Sequence, residues 1–249
     1  MKAHDNASSL QLEQFDKHAA QYFHFRMNSQ TANDFIEIPQ TLKMLGDLKG
    51  LSVLDAGCAF GYYSKYCAMH GAIVTAVDIS RTQIDLCREY CREFADRIEF
   101  KVGDVASDEV VLEENSFDLV LSNISVHFSL DAFFRNCAKS LKKGGKLVYS
   151  QIHPTFSACN MSNGLNFEDY FRTDSRTQQT ENIFGNQVVS DKYFWSWNHY
   201  TTEDVAIALR TNGFFISGIY EPKPVPNAPN QFKIFNRIPL FLFFEAVLA

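Results

Sequence analysis

The stretch VLDAGCAFGYYS, residues 53–64, runs two β-formers into an acid, several small residues and a second glycine, and then turns to helix-compatible residues. Side-chain-poor positions between a strand and a helix let a ligand approach the backbone and place it near the positive end of the helix dipole. In a doubly wound sheet that location lies beyond the carboxyl ends of the central strands, where ligands bind. The stretch therefore reads as a binding loop and requires an α/β sheet around it.

The neighbouring sequence supplies one. LSVLDAG reads as a buried strand, YYSKYCAMHG as a helix ending at Gly71, and AIVTAVDIS as a second buried strand. RTQIDLCREYCREF reads as helical, IEFKVGD and SFDLVLSNIS as strands, LDAFFRNCAKSLKKGG as a helix with a glycine stop, and KLVYSQI as a strand. Strands alternating with helical stretches of this length form βαβ units in a parallel sheet covered on both faces. Upstream, FDKHAAQYFHFR has the spacing of an amphipathic helix, and TANDFIEIPQTLKML that of a second one, which Pro39 restricts to a kinked or two-part form. A chain of 249 residues that is 46% hydrophobic can bury the core of one such domain.

Residues 153–200 break the alternation with polar runs such as CNMSNGLN and a concentration of aromatics, among them Tyr170, Trp195, Trp197 and Tyr200. In DKYFWSWN, alternation places Tyr193, Trp195 and Trp197 on one side of an extended segment. After this insertion TTEDVAIALRTNG restarts a helix, with Thr201 and Asp204 at capping-box spacing and Gly213 as the stop, and FFISGIYE and PLFLFFEAVL add two strands. The carboxy-terminal apolar run is too short to cross a membrane and contains Glu245, and the amino-terminal residues lack a signal-peptide core. A net charge of −6 argues against nucleic acid. Cys87 and Cys91 lie with Ile84 and Phe94 on one apolar helical face, which points to packed, reduced thiols rather than a metal site. A cytoplasmic protein with no membrane, metal or nucleic-acid partner is expected.

Gly57, Ala59 and Gly61 have GxAxG spacing, and Tyr62 stands where a dinucleotide loop would need its third glycine. The loop instead resembles the first motif of the class I S-adenosylmethionine-dependent methyltransferases, D/ExGxGxG, with Asp55 as the acid. Ala59 departs from that pattern, and its methyl group fits if the backbone there keeps a negative φ. AVDIS, KVGD and FDLVLSNISVHF follow at the ends of the next strands, and FDKHAAQY matches the FDxxAxxY start common in small-molecule members of that family.

The resemblance implies a Rossmann-like, seven-stranded, mostly parallel sheet with an antiparallel last strand, plus an aromatic insertion forming a substrate cap. It divides a single domain, 1–249, into a helical lid (1–47), a cofactor-binding core (48–152), the cap (153–200) and a carboxy-terminal helix and strands (201–249). By the resemblance Asp78, with Ile79 beside it, meets the ribose of S-adenosyl-L-methionine, a diol that suits two carboxylate oxygens. Asp104 and Val105 lie near the adenine, Tyr22 and Arg26 face the methionine portion, and Asn123 and Ser125 stand at the rim where cofactor meets substrate. Small-molecule members build the acceptor pocket from the insertion, which nominates Tyr170, Trp195, Trp197 and Tyr200.

The candidates for proton transfer are His127 and His153, each just beyond a strand end, where a histidine can titrate near neutral pH. Each also fits a structural histidine, as Arg172, Arg176 and His199 fit surface or packed positions. The expected activity is O- or N-methylation of a small-molecule acceptor by in-line displacement. Two alternatives stand beside it: a protein that binds S-adenosylmethionine or S-adenosylhomocysteine without turnover, and a nicotinamide-dependent oxidoreductase. The aromatic insertion serves as a pocket lid, a homodimer contact or both.

Overall fold

The apolar runs between residues 52 and 152 pair as five parallel strands in a computed structural model, which describes residues 2–107, 110–125, 129–160, 166–167, 170–171, 175–184 and 187–249, with backbone alone for 2–11, 14–15, 159–160, 166–167, 175–184 and 187–197. These strands are β1 (Ser52–Ala56), β2 (Ile73–Asp78), β3 (Ile98–Val102), β4 (Phe117–Asn123) and β5 (Leu141–Ile152). Between β5 and the next main-sheet strand lie β6 (Cys159–Asn160), β7 (Asn166–Phe167), β8 (Ser175–Phe184) and β9 (Gln187–Asn198), which form two separate antiparallel ribbons. The chain then returns through β10 (Phe214–Tyr220) and β11 (Phe241–Leu248). The main sheet has the order β10-β11-β5-β4-β1-β2-β3, and β11 is antiparallel to both of its neighbours. The expected seven-stranded sheet with one antiparallel strand is therefore observed.

Among the described residues seven α-helices accompany it: α1 (Lys2–Asn28), α2 (Ile38–Leu45), α3 (Tyr62–Met69), α4 (Arg81–Tyr90), α5 (Leu130–Ser140), the short α6 (Pro154–Ser157) and α7 (Thr202–Thr211). Successive strand residues point to opposite faces, so a strand buried on both must be apolar throughout. Val53, Leu119, Leu121, Val148, Phe241 and Phe243 pack with α2, α3 and α4 on one face. Leu54, Val120, Leu147, Leu242 and Phe244 pack with α5 and α7 on the other. Phe133, Phe134, Phe243 and Phe244 are fully buried, each worth ~1.5–3 kcal/mol relative to exposure.

The second amino-terminal helix has the two-part form that Pro39 imposes: a π-helical turn over Asn33–Glu37 leads into α2, with the proline in the first turn, where no amide is needed. At α7, Thr201 and Asp204 make the reciprocal capping box. Two helices are shorter than the sequence suggests. Before Gly145 is reached, α5 stops at Ser140, because the Ser140 hydroxyl caps the Cys137 carbonyl at 3.0 Å and Leu141 turns extended to pair with Phe117. The ladder then slips between Phe117 and Leu119, and Gly144 at φ 76° turns the chain back into register. Helix α4 ends at Tyr90, and Arg92–Phe94 continue as a 3-10 turn. Among the described residues no helix is long and apolar enough to cross a membrane.

Candidate functional site

The carboxyl ends of β1, β2 and β4 meet at one edge of the sheet, and β1 lies between the other two, which is the point where strand order reverses. The loop from Gly57 to Gly61 leaves β1 there. Its first two amides, Gly57 N and Cys58 N, both donate to the Val77 carbonyl, at 2.8 and 3.0 Å. The next amide, Ala59 N, donates to Asp78 Oδ2 at 2.9 Å, while Ser80 N donates to Asp78 Oδ1 at 2.9 Å. Asp78 thus clamps the loop and keeps acceptor capacity, since a carboxylate offers about four lone-pair sites. Burial pushes its carboxyl up to about 6, against the pull of those two amides, with the Asp16 charge adding to the rise.

Ala59 takes φ 47°, not the negative φ expected for it. The clamp explains the difference: with Gly57, Cys58 and Ala59 all donating toward the end of β2, the turn closes only through the left-handed region, and alanine tolerates that at ~1–2 kcal/mol. The two glycines serve packing. A Cβ on Gly57 would stand 2.2 Å from Ser125 Oγ, and one on Gly61 would stand 2.3 Å from Cys87 Sγ. Ser125 reaches back to the loop, donating to the Ala56 carbonyl at 3.1 Å.

Asp55 lies beneath the loop, 3% exposed, and accepts from Ser64 Oγ at 2.6 Å and from the Ser64 backbone amide in the first turn of α3. It acts as a cap on α3. Burial raises its carboxyl to about 7, the Ser64 bonds oppose this, and the Asp78 charge adds to it. A carboxyl raised from the unfolded value of about 4 binds its proton in the folded state first, so stability falls as pH rises through that window and is flat above about 7. Asp55→Asn keeps an acceptor for Ser64 and removes the charge. We expect it to be more stable than the wild type at pH 8, by on the order of 3 kcal/mol, with the gap closing by about pH 4 in parallel thermal melts. A pH-independent gap would exclude a titrating Asp55 as its cause.

Helix α1 crosses above the loop. The Asp16 carboxylate accepts the Ser80 hydroxyl and, at 3.3 Å, the Thr82 amide, so α1 is fastened to the start of α4, where Ser80 also accepts Gln83 N at 3.1 Å. Phe60, between Ala59 and Gly61, is held edge-on by Tyr22, Phe23 and Tyr90 at 5.9, 5.2 and 5.6 Å between ring centres. Tyr22 is thereby beside the loop. Arg26 is committed locally, to the Thr31 hydroxyl and to Asp34 Oδ1 at 3.6 Å. Ile79 is half-buried beside Asp78, and Asp104 Oδ1 accepts Ala106 N at 2.8 Å in the turn after β3. Val105 is buried there, and its carbonyl accepts Asn136 Nδ2 at 2.9 Å. Asn123 bridges strands and helix: its Nδ2 donates to Thr41 Oγ1 at 3.0 Å and its Oδ1 accepts from Ser150 Oγ at 3.2 Å.

His153 has both ring nitrogens engaged. Its Nδ1 accepts the Thr155 amide at 3.2 Å as the cap of α6, and its Nε2 lies 2.8 Å from Glu221 Oε1. A lone pair for an acceptor's proton is not free there. His127, Arg172 and the polar run at 161–165 lie outside the described residues. In the insertion, buried His199 pairs Nδ1 with Ser157 Oγ at 2.7 Å and donates Nε2–H to the Tyr170 carbonyl at 2.8 Å, pinning the two ends of the insertion together. The Tyr170 ring meets His199 edge-on at 5.6 Å, and the Tyr200 hydroxyl accepts from Asn198 Nδ2 at 3.0 Å. Trp195 and Trp197 occupy alternate positions of β9, opposite Gln178 and Arg176, and the β8–β9 ribbon touches α1.

Asp16, Glu37, Ser64 and Ser80 are site residues that the strand-end motifs pass over. Ser80 was signalled by SRTQ, a capping-box pattern, whereas Glu37 carries no local signal. The donor set suits a cationic nucleoside: Asp78 retains lone pairs at the end of β2, a second carboxylate, Asp104, stands at the end of β3, and Tyr22 and Phe60 put aromatic rings beside the loop.

Comparison with known proteins agrees. The family model described as a methyltransferase domain matches residues 54–149. A ubiquinone biosynthesis O-methyltransferase of Coxiella burnetii is 34% identical over 113 residues, 45% of this chain and 47% of that protein. The chain thus spans about half the length of the curated relatives it matches first. An uncharacterized protein of Haemophilus influenzae is 25% identical over 241 residues, covering 90% of this chain and 92% of its own. The solved structure of a putative S-adenosylmethionine-dependent methyltransferase from Listeria monocytogenes superposes with a TM-score of 0.73 at 24% identity, covering 86% of this chain and 96% of that one. The fold is that of this group.

Proposed function

We propose that this chain, whose residues 54–149 match the methyltransferase-domain family model, transfers a methyl group from S-adenosyl-L-methionine to a small-molecule acceptor. The observation that carries the reading is the Asp78 clamp, which holds the glycine loop and keeps carboxylate lone pairs at the end of β2. Asp78 with Ile79 would hold the ribose, and Asp104 and Val105 the adenine end. The loop from Gly57 to Gly61 would lie under the methionine portion, with Tyr22 against it. The bound cofactor supplies an electrophilic methyl group on a sulfonium with an excellent leaving group.

The chain's own residues then align, exclude water and hold charge. Aromatic faces at Tyr22 and Phe60 favour a cation beside the loop. With His153 locked by Thr155 and Glu221, alignment is the main device among the described residues. Residues 1–47 act as a lid and 153–200 as the acceptor cap, where Tyr170, Trp195, Trp197 and Tyr200 favour a flat or apolar acceptor. The name of the Coxiella relative favours an oxygen nucleophile, with nitrogen as the second choice. We take the protein to act in the cytoplasm without nucleic acid, with the cap also available as a contact in a homodimer.

Isothermal titration with S-adenosylmethionine, S-adenosylhomocysteine and NADH tests the reading. Micromolar binding of the two adenosyl ligands alone is expected. Binding of NADH alone would replace the reading with an oxidoreductase, and binding of none would remove it.

A further inference from the structure

A buried carboxyl with no place in the cofactor assignment lies at the amino-terminal edge of the site. Glu37 closes the π-helical turn before α2 and is 2% exposed. Single π-helical turns recur at functional sites because they displace one side chain from the regular helical face. Two hydroxyls converge on one of its oxygens: Tyr63 Oη of α3 donates to Oε1 at 2.5 Å and Thr41 Oγ1 of α2 donates to it at 2.9 Å. The other oxygen has a long contact, 3.4 Å, with Asn33 Nδ2.

The chain of bonds continues in one direction. Asn123 Nδ2 at the end of β4 donates to Thr41 Oγ1 at 3.0 Å, Ser150 Oγ of β5 donates to Asn123 Oδ1 at 3.2 Å, and Ile124 N is shared between Ser150 Oγ and the Ser150 carbonyl, both at 3.1 Å. Every donor from Ile124 onward points toward Glu37, so each bond polarises the next and the carboxyl terminates the series. The far end of the series is a strained residue. Ile124 has φ 52°, and a β-branched side chain in the left-handed region is a genuine outlier that persists only where its surroundings over-determine it. The next residue, Ser125, is the one whose hydroxyl braces the loop at Ala56 and fills the space that a Cβ on Gly57 would need.

We propose that Glu37 is a positioning residue for the cofactor loop: through Thr41, Asn123 and Ser150 it holds Ile124 in its left-handed turn, and that turn sets Ser125 against Gly57. The inference rests on the reading of the loop as a cofactor site, and it adds a coupling between the amino-terminal segment and the loop that passes through the end of β4. The hydrogen-bond geometry needs an acceptor at position 37 and no charge, because both hydroxyls meet the same oxygen. A glutamine amide oxygen satisfies the same requirement.

The test is titration of S-adenosylhomocysteine into the wild type, E37A, E37Q, T41V and the E37A/T41V double variant, with amide hydrogen exchange at Ile124 and Ser125 measured in each. E37A and T41V are each expected to weaken binding by ~10-fold and to reduce protection at the Ile124 amide, which keeps only its bond to the Ser150 carbonyl. The double variant should lose no more than either single one, since both cut one series. E37Q should restore affinity and protection, which a role resting on charge would not allow. Additive losses, a glutamine variant as weak as the alanine one, or unchanged exchange at Ile124 would overturn the proposal. Should E37A fail to fold, T41V and E37Q still decide it. If the wild type does not bind S-adenosylhomocysteine, the functional reading falls and the exchange data alone decide the coupling.

Discussion

Gly61→Ala is expected to destabilise the protein by ~2–5 kcal/mol, the sum of about 1–2 for an alanine at positive φ and about 1–3 for overpacking. Gly61 has φ 91°, and its missing Cβ leaves the space into which α4 presses Cys87 and Cys91, whose sulfurs would lie 2.3 and 2.9 Å from an added methyl group. These are buried side chains on a packed helix with little room to retreat. Denaturant unfolding checks the figure. A second substitution separates the two contributions: Cys87→Ala in the Gly61→Ala background removes the nearer sulfur and should recover part of the loss, while the backbone strain remains. No recovery would assign the effect to the backbone and to Cys91, whose sulfur stays 2.9 Å from the added methyl group. The result would also fix why glycine stands at this position, as a helix-packing requirement that happens to fall inside the loop after β1.

Asp78→Ala is expected to weaken S-adenosylhomocysteine binding by ~10- to 100-fold, corresponding to charge-assisted hydrogen bonds worth about 1.5–3 kcal/mol. Two losses act together: the acceptor offered to the ligand disappears, and Ala59 N and Ser80 N lose the oxygens that hold the loop at the end of β2. The binding-competent form is the carboxylate. Because its folded pKa is raised to about 6, affinity should hold above neutral pH and fall as pH drops through that value. Isothermal titration between pH 5 and 8 reads both effects, and Asp78→Ala should flatten the acid limb. An unchanged affinity, or an acid limb that survives in the variant, would remove Asp78 from the ribose role.

What the sequence announces, it announces through periodicity and spacing. Runs such as IVTAV and DLVLS can be read as strands because a sheet covered on both faces leaves no polar alternative, and their order along the chain specifies the wound topology. Asp78 could be read because it ends such a run. Ala59 at φ 47° could not, since its conformation follows from three amides captured by a neighbouring strand. His153 at a strand end resembles a catalytic base until its two partners are known, and Glu221 is 68 positions away in sequence. Glu37 is hidden for the same reason: its partner Tyr63 is 26 positions away, on another helix. The boundary at Ser140 was misread because LKKGG suits a helix end as well as an extended entry, and only the pairing of Leu141 with Phe117 decides between them.

Strand β11 follows β10 in the chain yet lies between β10 and β5 in the sheet. A chain emerging from the ribosome therefore exposes β10 before the one strand that can join it to the rest. Phe214 and Ile216 must wait with an open ladder edge, and a premature partner there would be a second copy of the chain. The proline-rich 221–229 segment and the 3-10 turn at Asn230–Asn236 sit within this delay. They separate the two strands in sequence, so β10 has its main-sheet partner only when β11 is made. The strand permutation thus makes the β10 edge the last part of the main sheet that can be paired.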